Sequence, residues 1–144
     1  MVVVPLNAEP SGSGRTFRFS RQFRLKSPLA IRQVMQDGAS ARKRFDGFRV
    51  VCAALDTNAG VPVPRFAFVV SRDAGPAVTR NRIKRRLREA VRLQRKHWPS
   101  CAGNVIFRVN EGKVATLPFT NLIRQVEQAL DFSTGSLKAQ PKHV

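Results

Sequence analysis

The chain is short of nearly everything that protein-based chemistry uses. Asp and Glu together number 9 among 144 residues. They are scattered, so no two stand together as a general acid/base pair or a carboxylate metal site requires. Histidine appears twice, as His97 and His143, and cysteine twice, as Cys52 and Cys101. No Cys-x-x-Cys is present, and neither histidine has Cys or Asp at ligand spacing. His97 reads as a dipole partner at a helix C-terminus, and the cysteines as small, buried, reduced hydrophobes. Gly12 and Gly14 do not follow a strand, so they form no nucleotide-binding loop. No apolar run approaches the roughly 18 residues of a membrane span, and Met1 to Pro5 has neither the basic start nor the length of a signal peptide. The reading is a cytoplasmic protein with no catalytic residue, metal or cofactor of its own.

What is abundant is positive charge. Lys and Arg number 26, giving a formal net charge of +17 at pH 7. Self-repulsion at that level costs stability, so it argues for a polyanionic partner. Nucleic acid is the first candidate and an anionic membrane surface the second. A hydrophobic content of 42% still allows a small core, and the length suits one domain.

Residues 1–14, with Pro5, Pro10 and Ser11 to Gly14, read as a disordered arm, and 133–144 as a disordered tail. Between them lies one domain, 15–132. Ser27-Pro28 opens a helix with Leu29, Ile31, Val34 and Met35 at helical spacing, and Gly38 stops it. Phe48 to Leu55 and Arg65 to Ser71 read as strands, separated by a turn at 56–60. A long helix runs from about Arg80 to His97 with Thr79 as a plausible N-cap, and Trp98-Pro99 ends it. Gly103 to Val109 is a further strand, and a last helix follows Leu117-Pro118 through about Phe132. The order is helix, two or three strands, helix, strand, helix, and the expected class is α+β: a sandwich with helices against one sheet.

The long helix holds the sharpest information. From Arg80 to Lys96 there are nine basic residues and one acid, Glu89. Ile83, Leu87, Ala90 and Val91 gather in one arc, and Asn81, Arg85, Arg88, Arg92 and Lys96 lie opposite. An ordinary solvated face mixes signs, whereas here like charges repel at i,i+4 spacing. Arg80, Arg82 and Lys84 also crowd the positive end of the helix dipole, where a bound phosphate would turn a cost into a gain. Arginine adds bidentate pairing with phosphate.

The stretch Val70-Ser71-Arg72, Gly75, Ala77 to Arg85 and Arg88-Glu89 resembles the signature of the bacterial ribonuclease P protein, whose RNR motif is Arg80-Asn81-Arg82 here. More weakly, the resemblance extends over roughly residues 23–131. It implies a single domain with a central four-stranded sheet packed by three helices and a left-handed βαβ crossover, a basic helix that contacts a catalytic RNA, and a cleft that contacts the 5′ leader of precursor tRNA. The RNA-facing positions become Arg80, Asn81, Arg82, Lys84, Arg85, Arg88 and Arg92. The leader cleft becomes Ile31, Met35, Val51 and Arg108. The RNA subunit, not the protein, would then carry the hydrolysis with bound Mg²⁺, with one protein per RNA and no membrane partner. Ile31 and Met35 stand where the family commonly has phenylalanines, and Asp73 replaces a usually basic residue. Aliphatic side chains cannot stack a base, and plain core packing explains Ile31 and Met35 as well as substrate contact does.

Overall fold

The computed structural model describes residues 23–37, 40–54, 64–99 and 103–139. The expected arm at 1–14, the stop at Gly38, the turn at 56–60 and Cys101 lie outside them. The elements are α1 (Pro28–Gln36), β1 (Ala41–Phe45), β2 (Phe48–Ala54), β3 (Pro64–Val70), α2 (Ala77–Leu93), β4 (Gly103–Val109) and α3 (Phe119–Ala139). Single 3₁₀ turns cover Arg72–Ala74, Arg95–His97 and Gly112–Ala115. The four strands form one sheet in the order β1-β2-β4-β3. β1/β2 and β2/β4 are antiparallel, while β3 and β4 are parallel neighbours joined through α2. This is the α+β sandwich of three helices and a four-stranded sheet that the sequence implied.

Side-chain alternation along the strands separates two cores. Phe48, Val50, Cys52, Phe66, Val105, Phe107 and Val109 face α2 and α3, meeting Ile83, Leu87, Ala90 and Val91 from α2 and Leu122, Val126 and Leu130 from α3. Val51, Ala67 and Ile106 face the other way and meet Leu25 and Val34 beneath α1. The apolar stripe of α2 is therefore the buried stripe, as its 3.6-residue period requires. Near the end of α2, Trp98 packs on Phe23 and Phe66, and its indole N–H donates to the Val91 carbonyl at 2.8 Å.

α1 forms as its sequence demands. Ser27 Oγ accepts from the Ala30 amide, and Pro28 occupies the first helical position. Its last carbonyls are met by side chains, Ser40 Oγ donating to Val34 and the Arg42 guanidinium to Met35. β1 and β2 turn tightly through Asp46-Gly47, where Gly47 takes φ +93°.

Three expectations change. α2 begins at Ala77 with Pro76 as its N-cap, so Thr79 lies in the first turn, its side chain against Gly75. The regular helix ends at Leu93, and Arg95–His97 is a 3₁₀ turn. The third correction is larger: α3 continues to Ala139, so Ser133 onward is no disordered tail over that span. Ser133 is buried and donates to the Ala129 carbonyl, and Leu137 is buried against Gly103. The polar residues there are held by packing that a local reading cannot show.

Candidate nucleic-acid interface

α2 starts without a side-chain capping hydrogen bond. Pro76 supplies no side-chain acceptor, and the first turn contains no acid. Its free N–H groups therefore face outward at the positive end of the helix dipole, beside Arg80 and Arg82. Among the described residues each of these two arginines makes one hydrogen bond, Nε of Arg80 to the Gly75 carbonyl at 3.1 Å and Nε of Arg82 to the Ala115 carbonyl at 3.0 Å. Each stem is thus fixed while the terminal amino groups remain available for a bidentate anion.

The rest of the row is divided in role. Asn81, Arg85 and Lys96 are exposed, and Lys84 is half-buried. Arg88 is half-buried beside the Phe68 ring, 5.9 Å from its centroid, and its buried Nε has no partner. Burial, then the nearby Arg24 and Arg85 charges, draw its pKa below the ordinary guanidinium value. A cation so placed gains from an incoming anion. Arg92 differs: it is held by Glu89, one turn back on the same helix. Its charge is already matched, so it is a weaker anion ligand than the sequence implied.

Arg86 was not among the expected site residues, and it points inward. Its guanidinium donates to the Ala115 and Leu117 carbonyls and lies over Phe119, 5.6 Å from the ring centroid. It clamps α2 onto the turn that leads into α3. Burial, then Arg82, lowers its pKa. Its sequence signal is its place next to the apolar arc rather than opposite it.

On the opposite face of the sheet, Ile31 and Met35 are half-buried and pack over Val51, Ala67 and Ile106. Val51 is fully buried, so it cannot touch a ligand; it supports α1 from below, which removes it from the expected cleft-lining set. Arg108 does lie on this face, half-exposed. The register adds what the sequence did not show: Arg44, Arg49 and Arg108 form one row across β1, β2 and β4. With Phe45, Phe48, Asn110 and Glu111 they line a concavity at the hairpin end of the sheet. The Lys113–Asp46 ion pair, at 2.5 Å, fastens the hairpin turn beside it. The legible signal was Asp46-Gly47, since a two-residue turn places Arg44 opposite Arg49.

The sequence also treated the acids as scattered and His97 as having no ligand partner. The fold brings His97, Glu127 and Asp131 together.

The fold and these surfaces define a small α+β protein with arginine-rich, cationic faces on both sides of one sheet. The ribonuclease P family model matches residues 19–132. The ribonuclease P protein component of Symbiobacterium thermophilum is 38% identical over 112 residues, covering 77% of this chain and 90% of that one. That of Chloroflexus aurantiacus is 36% identical over 102 residues, covering 71% and 70%. Among solved structures, the RNase P protein of Staphylococcus aureus superposes with a TM-score of 0.62 at 20% identity, over 76% of this chain and 94% of that one. The RNase P protein of Thermotoga maritima gives 0.64 at 19% identity, over 76% and 96%, and the two structures speak for the fold. The chain belongs to the ribonuclease P protein family. No helix among the described residues is long and apolar enough to cross a membrane.

Proposed function

We propose that this chain is the protein subunit of a ribonuclease P holoenzyme, assisting endonucleolytic removal of the 5′ leader from precursor tRNA. The observation that carries this reading is the start of α2, which no side chain caps, flanked by Arg80 and Arg82 and continued by Lys84, Arg85 and Arg88. Such a surface suits the phosphate backbone of a structured RNA, here the catalytic RNA subunit, one protein per RNA. The α1 face of the sheet, with Ile31 and Met35 beside Arg108 and its neighbours Arg44 and Arg49, takes the leader of the precursor. Ile31 and Met35 are aliphatic, so contact beneath α1 rests on phosphates and apolar surface rather than base stacking, and the aromatic rings of this surface, Phe45 and Phe48, stand at its hairpin end.

Hydrolysis belongs to the RNA subunit and its Mg²⁺, and the protein's cations offset phosphate repulsion between RNA subunit and substrate. The complex works in the cytoplasm. The test is cleavage of precursor tRNA by the RNA subunit with and without this chain, across a Mg²⁺ series. The chain is expected to lower the Mg²⁺ requirement and to bind precursor more tightly than mature tRNA. An unchanged requirement overturns the reading.

A further inference from the structure

We propose that His97 and Glu127 bind a divalent transition-metal ion of the zinc class, with Asp131 as the residue that orients the imidazole. This site is separate from the RNA-facing surfaces and does not depend on their assignment. His97 Nδ1 lies 3.0 Å from Asp131 Oδ1, and Nε2 lies 3.6 Å from Glu127 Oε2. A neutral imidazole carries one N–H and cannot donate to both carboxylates. In the tautomer that carries its proton on Nδ1, the ring donates to the nearer carboxylate and the Nε2 lone pair is directed toward Glu127. That is the carboxylate–histidine–metal arrangement, in which the carboxylate fixes the tautomer and the ring plane. With Zn–N and Zn–O bonds of about 2.0–2.2 Å, two ligands of one ion stand roughly 3.3–3.6 Å apart. The Nε2 to Oε2 separation already meets that spacing, and the ligand atoms of all three residues lie within 4.8 Å of one another.

Two further features set this group apart from a chance surface cluster. Glu127 and Asp131 stand one turn apart on α3, where like charges destabilise a helix, in a chain with only 9 acids. Their pairing is relieved by a cation between them. The His97 backbone is also anchored: its amide donates to the Gln94 carbonyl at 2.9 Å, and its carbonyl accepts from Thr134 Oγ1 of α3 at 3.3 Å, which sets the base of the side chain against α3. The histidine side chain is one-quarter exposed, so an ion has an entry path and keeps water in its remaining positions. A nitrogen donor selects against Mg²⁺, a hard cation that prefers oxygen ligands and its own water. Binding would tie the turn that ends the basic helix to α3.

The experiment is calorimetric titration of the folded full-length chain with Zn²⁺, repeated in excess Mg²⁺. The expected result is one equivalent bound at sub-millimolar metal, undiminished by Mg²⁺ and abolished by His97→Gln and by Glu127→Gln. Asp131→Asn is expected to weaken binding about 10–100-fold without abolishing it, as loss of an orienting carboxylate does. Should His97→Gln fail to fold by circular dichroism, Glu127→Gln, on the half-exposed face of α3, carries the test. His143 is the chain's other imidazole, and Zn²⁺ binding that survives His97→Gln overturns the proposal. Displacement by Mg²⁺ overturns the zinc-class assignment, and complete loss in Asp131→Asn overturns the orienting role.

Discussion

Arg49 on β2 stands directly opposite Arg108 on β4, with Arg44 of β1 next in the same row. Like charges at facing positions of a sheet are destabilising, by about 0.2–1 kcal/mol for each pair. Among the described residues no acid or carbonyl is bonded to any of the three, and edge protection accounts for Arg44 alone, so folding does not explain the facing pair Arg49 and Arg108. An anion seated over the row reverses the sign of the interaction.

Arg49→Gln should therefore leave stability unchanged or raise it by about 0.2–1 kcal/mol in urea unfolding. The same change should reduce the preference for precursor over mature tRNA, measured by competition binding. Equal affinities for the two RNAs in wild type and variant would remove this row from the leader surface.

Arg85 and Arg86 are adjacent in sequence and opposite in consequence. Arg85 is exposed, whereas Arg86 reaches the Ala115 and Leu117 carbonyls. Arg85→Ala should flatten the salt dependence of RNA binding by about 0.7–0.9 in log–log slope, with no change in unfolding midpoint. Arg86→Ala should cost about 1.5–3 kcal/mol of stability, the range for hydrogen bonds from a charged donor. A stable Arg86→Ala protein with a flattened salt slope would exchange the two roles.

Legibility in the sequence followed periodicity. The buried face of α2 was readable because Ile83, Leu87, Ala90 and Val91 repeat at the helical period. β3 and β4 were readable from their apolar runs. β1 was not, because Ala41 to Phe45 is an edge strand whose centre is Arg-Lys-Arg; edges are kept charged to block further pairing. Burial of Val51 depends on where α1 crosses the sheet, which no local pattern contains. The cluster joins His97 to Glu127 and Asp131, a pair one helical turn apart that lies at least 30 positions further along the chain. Arg92 looked like a free cation because its position on the wheel is outward, and its pairing with Glu89 is a matter of rotamer.

That pairing makes a prediction of its own. The hydrogen bond from Arg92, partly opposed by burial, holds the Glu89 carboxyl below its ordinary value of 4.5. A depressed carboxylate contributes stability above its unfolded pKa and loses it as pH falls through the folded one. Wild type should exceed Glu89→Gln by only about 0.3–0.5 kcal/mol at pH 7, since the Glu89 carboxylate is nearly half-exposed and screened by solvent. The difference should close as pH drops below about 4.5. Glu89→Gln should also steepen the salt dependence of RNA binding, because Arg92 is released to a phosphate. An unchanged slope would place Arg92 away from the RNA.

The last turns of α3 were read from sequence as a tail, and their removal tests the opposite. A chain ending at Phe132 loses Leu137, which is buried so tightly on Gly103 that a β-carbon there would come within 2.6 Å of it. Loss of a buried leucine side chain costs about 2–5 kcal/mol, so the truncated chain and Leu137→Ala should both unfold at lower urea. Cys52 gives a local readout of the same event. Burial pushes its thiol up to about 11, against smaller opposing hydrogen bonds with Ser133 and Ser136. In a Cys101→Ser background, Cys52 should resist a thiol reagent at pH 8 in the full-length chain, because the thiolate is scarce and covered. Truncation at Phe132 uncovers it and should return its reactivity toward that of an ordinary cysteine. Equal protection in both chains would mean that residues 133–139 do not pack as a continuation of the helix.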